Sequence, residues 1–326
     1  MTVTTKNCQK RFPLLSIKHL SLAICLLAFC STASRGQCLS AVNPVGGSHN
    51  LLVLEKNTLR VISFYRFHYG NRYFEGDSPA NWDLIRYAGY HYAGAILGYG
   101  LTKAWTLETE WGYFIQKTQI YRGDPEERLR GNGFSSTVVS LKRSLVKDDI
   151  RRFFVSASGG ARIPLSRELQ VRNGVVLPIE VQPAIGAWGS VFQLFLVKEI
   201  PVSGTRYFVT SRVETGGKNR DDYQQGKALY TSLFYSKHLM LPWLKGDWTA
   251  ILQLRNEWRG KDHTAAGVKE SSGGHILYLS PQINSFIIEK WNLSMTLDLP
   301  VYQYFNGTQM SSRCGVSLNL ARDFSL

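Results

Sequence analysis

Charged residues recur at alternate positions in several segments of this sequence, often with opposite signs two residues apart. Arg212 with Glu214 and Arg255 with Glu257 are two such pairs. Side chains two residues apart point to the same face of a β-strand, so each pair would share one surface. Charged residues with this placement are Arg60, Arg66, Glu108, Glu110, Lys142, Arg162, Arg212, Glu214, Arg255, Glu257 and Asp298.

Two roles suit a strand face that carries charges of both signs. The side chains could line a passage for solutes, although a mixture fits neither a clear anion pore nor a clear cation pore. Buried charges of opposite sign usually pair, so the same residues could instead brace and fill a narrow interior. Aromatic residues on the same predicted face would suit a partly apolar solute or serve as filler: Phe64, Phe114, Phe154 and Tyr230.

Catalytic chemistry has little support in the sequence. His91 falls in one predicted strand, and Ser156 and Ser158 fall in another, but their spacing does not bring them together. No nucleophile elbow, metal-spaced His/Cys cluster or phosphate-binding loop is found. We therefore predict no catalytic residue, no cofactor and no metal ligand.

The clearest structural element is a hairpin at residues 88–121. Trp105, Leu107, Trp111 and Tyr113 alternate with polar or small residues over a dozen positions. Strict alternation is typical of a strand with one apolar and one polar face. A tilted strand needs about 9–11 residues to cross a bilayer, so this segment is long enough to span a membrane.

The amino terminus has the features of a secretory signal. Lys6, Lys10, Arg11 and Lys18 precede an apolar stretch at residues 20–29, which is too short to span a membrane stably. We predict a signal peptide over residues 1–36, a periplasmic lead-in over residues 37–56 and a β-barrel over residues 57–326.

Charge and cysteine content narrow the function further. The chain carries a net charge of +14, and without residues 1–36 it keeps 33 basic and 24 acidic residues, or +9. These charges are scattered along the chain, no nucleic-acid-binding motif is found, and the predicted signal implies export. All three observations argue against nucleic-acid binding. Cys38 and Cys314 would remain after cleavage, and two cysteines make no disulfide framework.

Alternating segments repeat along the chain and predict about twelve strands, with ten or fourteen as alternatives. Short turns and longer polar loops alternate between them, as in outer-membrane barrels. We therefore predict an all-β fold, a transmembrane antiparallel up-and-down β-barrel. A secreted soluble sandwich or barrel would also show alternation, but aromatic residues at the ends of the apolar faces favour the membrane.

Several short segments resemble a known group of proteins. They include turn and strand-end motifs at residues 43–47, 51–56, 73–77, 241–248, 280–283 and 300–304. Together these resemble uncharacterised outer-membrane β-barrel transporters of Gram-negative bacteria, similar to the phenol-degradation (MetA-pathway) barrels. The resemblance covers the whole mature chain and implies a barrel that passes small, partly apolar or aromatic solutes.

We accordingly expect a passive channel or transporter in the outer membrane. Its expected partners are outer-membrane lipid, a small solute and the barrel-assembly machinery during insertion. Phe324 stands near the end of the last strand, where such barrels often carry an aromatic residue. Two alternatives remain: a plugged barrel that binds or adheres through its loops, and a lipid-modifying hydrolase.

Overall fold

Twelve long antiparallel strands dominate the fold. The computed structural model describes residues 51–123, 125, 127–239, 246–288 and 291–326. The strands are β1 (Thr58–Gly70), β2 (Ile85–Thr102), β3 (Trp105–Tyr121), β4 (Thr137–Asp148), β5 (Phe153–Ile163), β6 (Gly189–Ile200), β7 (Thr205–Gly216), β8 (Ala228–Leu239), β9 (Asp247–Arg259), β10 (Gly274–Ile288), β11 (Trp291–Met310) and β12 (Cys314–Ser325).

Each strand pairs with its neighbours in sequence, and the last strand pairs with the first. The β1–β12 ladder runs from Thr58 opposite Ser325 to Tyr69 opposite Cys314, which closes the sheet into a barrel. In a closed wall, the backbone N–H and C=O groups of each wall strand can bond to the neighbouring strands. A membrane requires this, because lipid offers no hydrogen-bond partners. The predicted up-and-down barrel of about twelve strands is therefore confirmed.

The two faces of the barrel wall differ in chemistry. On β9, Leu252, Leu254 and Trp258 are exposed on the outside, while Ile251, Gln253, Arg255 and Glu257 are buried inside. The same alternation holds around the wall, so an apolar belt covers the exterior. The part of the chain that the structure describes contains no helix long and apolar enough to cross a membrane.

The barrel has a short-turn end and a loop end. Residues 103–104, 149–152 and 201–204 form short turns, the last containing the 3₁₀ helix Pro201–Ser203. At the opposite end lie longer loops at residues 71–84, 122–136, 164–188, 217–227 and 260–273. The connection after β11 is the shortest at this end: only residues 311–313 separate β11 from β12, which begins at Cys314.

Several loops fold into additional short strands. Tyr73–Gly76 pairs with the upper part of β11, and Glu127–Phe134 pairs with the upper part of β3. The strand pairs Val171–Arg172 with Val175–Val176, Asp262–Thr264 with Gly267–Lys269, and Tyr73–Gly76 with Ser78–Pro79 are also formed. These strands and their connections cover the loop end of the barrel.

The predicted signal peptide and most of the lead-in, through residue 50, lie outside the described residues. The remainder of the lead-in, residues 51–56, enters the short-turn end of the barrel. The Thr106 hydroxyl accepts a hydrogen bond from the Leu54 backbone N–H at 2.8 Å, and Ser156 Oγ donates one to the Leu51 carbonyl at 3.0 Å. The lead-in thus contacts the inner wall on β3 and β5.

Candidate functional site: the barrel interior

The eleven charged residues predicted to share one strand face all lie on the inner side of the wall. Two of them, Arg60 and Glu110, are partly buried. The other nine are buried: Arg66, Glu108, Lys142, Arg162, Arg212, Glu214, Arg255, Glu257 and Asp298. Charged groups in such surroundings need partners of opposite sign.

A first ion-pair network crosses the lumen. Arg212 on β7 donates from Nη1 to both carboxylate oxygens of Glu110 on β3, at 2.8 and 3.0 Å. Its Nε donates to Glu214 at 2.7 Å, and Glu214 also accepts a hydrogen bond from Arg162 on β5 at 3.3 Å. Three strands separate β3 from β7 in the wall, so the Arg212–Glu110 pair bridges the interior and narrows it.

A second network lies on the opposite wall. Arg255 on β9 donates to Glu257 at 2.9 Å and to Asp298 on β11 at 2.8 Å. Asp298 also accepts a hydrogen bond from Ser280 Oγ at 2.7 Å. The Arg255 guanidinium lies 4.3 Å from the centre of the Tyr278 ring, a cation–π contact. Charge and aromatic surface are therefore combined in one side-chain cluster.

The remaining predicted residues form local contacts. Lys142 pairs with Glu108 at 2.6 Å and lies 4.4 Å from the centre of the Phe195 ring. Arg66 donates to Ser317 at 3.2 Å. At the short-turn end, Arg60 makes a two-point contact with Asp323, at 2.7 and 2.6 Å.

The four predicted inner aromatic residues are also buried, but in different clusters. Phe64 and Phe114 pack with Tyr90 and Tyr92 beside β1, β2 and β3. Phe154 belongs to a second cluster near the short-turn end, whose members are Leu51, Phe154, Phe195, Val197, Phe208, Phe234 and Ile251. Leu51 comes from the lead-in, so that segment covers an apolar patch of the inner wall.

Open space remains below this apolar cluster. A vestibule of about 590 Å³ lies at the short-turn end, lined by Leu51, Leu52, Arg60 and neighbouring residues of β6 to β11. A second space of about 570 Å³ shares Arg60 with it. The interior is therefore wide at this end and narrow at the ion-pair networks.

The structure separates the residues of the catalytic alternative. His91 lies on the outer face of β2, where Nδ1 and Tyr65 Oη are 2.6 Å apart. Ser156 and Ser158 are buried on the inner face of β5. Within the described residues, no group of three or more His, Cys, Asp or Glu side chains could hold a metal ion.

Several interior partners were missed by sequence reasoning. Asp323 follows Ser317 at an even spacing on β12, and Arg259 follows Arg255 and Glu257 at an even spacing on β9. The same alternation therefore contained the signal for both. Leu51 gave no such signal, because it precedes the first strand and reaches the interior only through the path of the lead-in.

Comparison with known proteins supports the fold. No family model matches the chain, and no curated protein does. Among solved structures, the COG4313 outer membrane channel from Pseudomonas putida F1 superposes with a TM-score of 0.67 at 14% identity, over 87% of this chain and 100% of that one. A Pseudomonas aeruginosa FadL homologue gives a TM-score of 0.39 at 8% identity, over 89% and 96% of the two chains.

The first comparison agrees with the outer-membrane barrel family that the sequence resembles. At this identity it establishes the fold and no more. Together with the closed wall and its apolar outer belt, that fold places the protein in the outer membrane as a β-barrel.

Proposed function

We propose that this protein is a passive outer-membrane channel for small solutes. One observation carries the proposal: ion-paired charged groups line a continuous closed wall between a wide vestibule and the covered loop end. Short turns face the periplasm in such barrels, so the vestibule would open there. The eleven charged residues would then line the solute path as well as brace it.

The lining suits solutes that are partly apolar. Phe114, Tyr230 and Tyr278 are buried on the same inner face as the charged networks. A solute with a ring and a polar group could contact both kinds of surface. The solved channel from Pseudomonas putida is consistent with transport, and we extend that activity to this chain as part of the proposal.

Conductance of the refolded mature protein in a planar bilayer tests the proposal. We expect steady single-channel currents, with ion selectivity altered by Arg255→Ala because this change leaves Glu257 and Asp298 without their shared cation. Arg122→Ala is the matched control, since Arg122 pairs with Asp83 on the exposed surface of the loop end and does not line the vestibule. Unchanged reversal potentials in Arg255→Ala would remove that residue from the path.

A barrel that binds through its loops is the second candidate. It is favoured by the lumen-crossing Arg212–Glu110 pair and by the lead-in segment at the opposite mouth, which both narrow the interior. Absence of current from a folded, heat-modifiable barrel would support this candidate. We propose no enzymatic step for this barrel. Its proposed partners are outer-membrane lipid and, during insertion, the barrel-assembly machinery.

A further inference from the structure

Two adjoining cavities lie at the loop end, above the first ion-pair network. The larger has a volume of about 110 Å³ and the smaller about 20 Å³. Arg162, Gln225 and Arg259 line both, so the cavities meet at these side chains. Residues of the 164–188, 217–227 and 260–273 loops form the outer wall. A solute entering from the loop end would meet this space before the lumen.

The larger cavity has more basic than acidic groups. Its basic residues are Lys117, Arg162, Arg259 and Lys269, and its acidic residues are Glu180 and Asp262. Both carboxylates are already engaged, Glu180 by Lys269 at 2.9 Å and Asp262 by Arg259 at 2.7 Å. The electrostatic balance therefore favours an anion over a cation.

Two guanidinium groups in the cavity lining each have one N–H without an acceptor among the described residues. Within the part of the chain that the structure describes, the buried Nε atoms of Arg162 and Arg259 have no hydrogen-bond partner. A buried N–H without an acceptor costs free energy, and an anionic oxygen would relieve that cost. Glu214 does not serve this purpose, because it already accepts hydrogen bonds from Arg162 Nη1 and Arg212.

The larger cavity also has apolar lining. Its apolar surface comes from Phe114, Ile179, Pro183 and Ile185. An engineered cavity of about 150 Å³ in another protein binds benzene, and about 110 Å³ is smaller, so this space holds a short carbon chain, or the carboxylate and one edge of a small ring. The ligand chemistry that fits the whole space is one anionic group on a compact apolar body.

We propose that this loop-end cavity binds small organic carboxylates through Arg162 and Arg259. The inference rests on the proposed channel function: small organic carboxylates would be the solutes that bind at the loop-end entrance of the channel. The carboxylate accepts hydrogen bonds from the two guanidinium groups, and the apolar part of the solute contacts the wall that contains Phe114.

Binding can be measured without any current. We would titrate the refolded full mature chain in detergent with benzoate by isothermal calorimetry, and repeat the titration with benzamide, a neutral molecule of similar shape. Benzoate should bind at least about tenfold more tightly, because only the carboxylate carries a negative charge and forms ion pairs with the two guanidinium groups. Equal affinity for the two molecules would overturn the carboxylate assignment.

Variants then locate the site. Arg162→Gln and Arg259→Gln should each weaken benzoate binding about tenfold, whereas Arg122→Gln should leave it unchanged, because Arg122 pairs with Asp83 on the exposed surface of the same end. Heat-modifiability on gels verifies that each variant is folded. Unchanged affinity in both folded cavity variants would place the carboxylate elsewhere and overturn the proposal.

The binding and conductance results can fail separately. A folded protein that conducts but does not bind benzoate would contradict the carboxylate site and leave the channel function standing. A protein that binds benzoate through Arg162 but carries no current would support the site and contradict the channel. The second result would favour the plugged, solute-binding barrel.

Discussion

Arg212 is the residue on which the interior depends most. It is almost fully buried and holds two carboxylates, Glu110 and Glu214, which come from different sides of the lumen. A buried ion pair gains little over a well-packed apolar pair, yet removing one partner leaves an uncompensated charge. Arg212 therefore fixes the positions of Glu110 and Glu214, even though the ion pairs add little net free energy of folding.

We expect Arg212→Met to lower the free energy of unfolding by about 3–5 kcal/mol, the cost of breaking a buried pair. Arg206→Met is the matched control: Arg206 pairs with Glu199 at 2.7 Å but is half exposed, and surface pairs contribute about 0–1 kcal/mol. Denaturant titration of the refolded barrel measures both values. Equal losses would mean that water reaches Glu110 and Glu214 freely.

Asp262 in the 260–273 loop makes a pH-dependent contribution. Burial raises the pKa of this carboxyl, but Arg259, the Gly226 backbone N–H and Tyr223 lower it more, so the pKa lies below its ordinary value of 3.8. A depressed pKa means that the folded state favours the ionised form. The stabilisation is therefore complete above about pH 3.8 and is lost as the pH falls through the lower folded value.

As the pH falls below about 3.8, we expect the amide hydrogens of the 260–273 loop to exchange faster than the general pH dependence of exchange accounts for. Asp262→Asn should show the faster exchange already at neutral pH, since it keeps the shape and loses the charge that holds Arg259 and Tyr223. Identical protection in Asp262→Asn and the unchanged protein at neutral pH would contradict this role.

At the scale of the elements, alternation in the sequence predicted the strands well. Lipid on one side and a polar lumen on the other impose opposite requirements on successive residues, so a strand such as β9 shows its two faces directly in its sequence. The charges of the inner face could also be predicted, including the pairs Arg212–Glu214 and Arg255–Glu257.

The loop end and the long-range partners could not be predicted. Glu110 meets Arg212 across three intervening strands, and no local pattern specifies which charges face each other across a closed barrel. The loop strands Tyr73–Gly76 and Glu127–Phe134 pair with upper parts of β11 and β3. The first of these pairings reaches Met310, the last residue of β11, and no local pattern in the sequence specifies it.

The lead-in segment packs against the apolar cluster of the inner wall next to the vestibule and narrows the interior at that level. Full burial of the Leu51 side chain stabilises the contact between the lead-in and the wall by about 1.5–3 kcal/mol. Burying an unpaired carboxylate at the same position would cost more free energy than this contact contributes. We expect Leu51→Asp to release the segment and to raise single-channel conductance. Val53→Asp is the control, because Val53 is half-buried and lies outside the apolar cluster. A conductance of Leu51→Asp equal to that of the unchanged protein would show that the segment does not restrict the path.

For the whole molecule, the exterior should behave as a lipid-facing surface with a defined depth. Trp248 and Trp258 lie near the two ends of β9. The segment from Trp248 to Trp258 is eleven residues long, which matches the length of a strand that crosses the bilayer. Leu254 lies between them and is 38% exposed, and Leu101 is 41% exposed but sits beside the 103–104 turn. The two leucines are similarly exposed but lie at different depths along the wall. Substituting each of them therefore distinguishes a barrel in a membrane from a barrel in water.

We expect Leu254→Arg to destabilise the barrel in lipid by about 2–4 kcal/mol and Leu101→Arg by about 0–1 kcal/mol, because the cost of a charge falls steeply from the bilayer centre to its interface. Reversible unfolding in phospholipid vesicles, followed by tryptophan fluorescence, measures both. In detergent the difference should shrink, since the shell around the wall is thinner and wetter. Equal costs in vesicles would mean that depth along the wall has no effect, and the apolar belt would then cover an interface with protein instead of lipid.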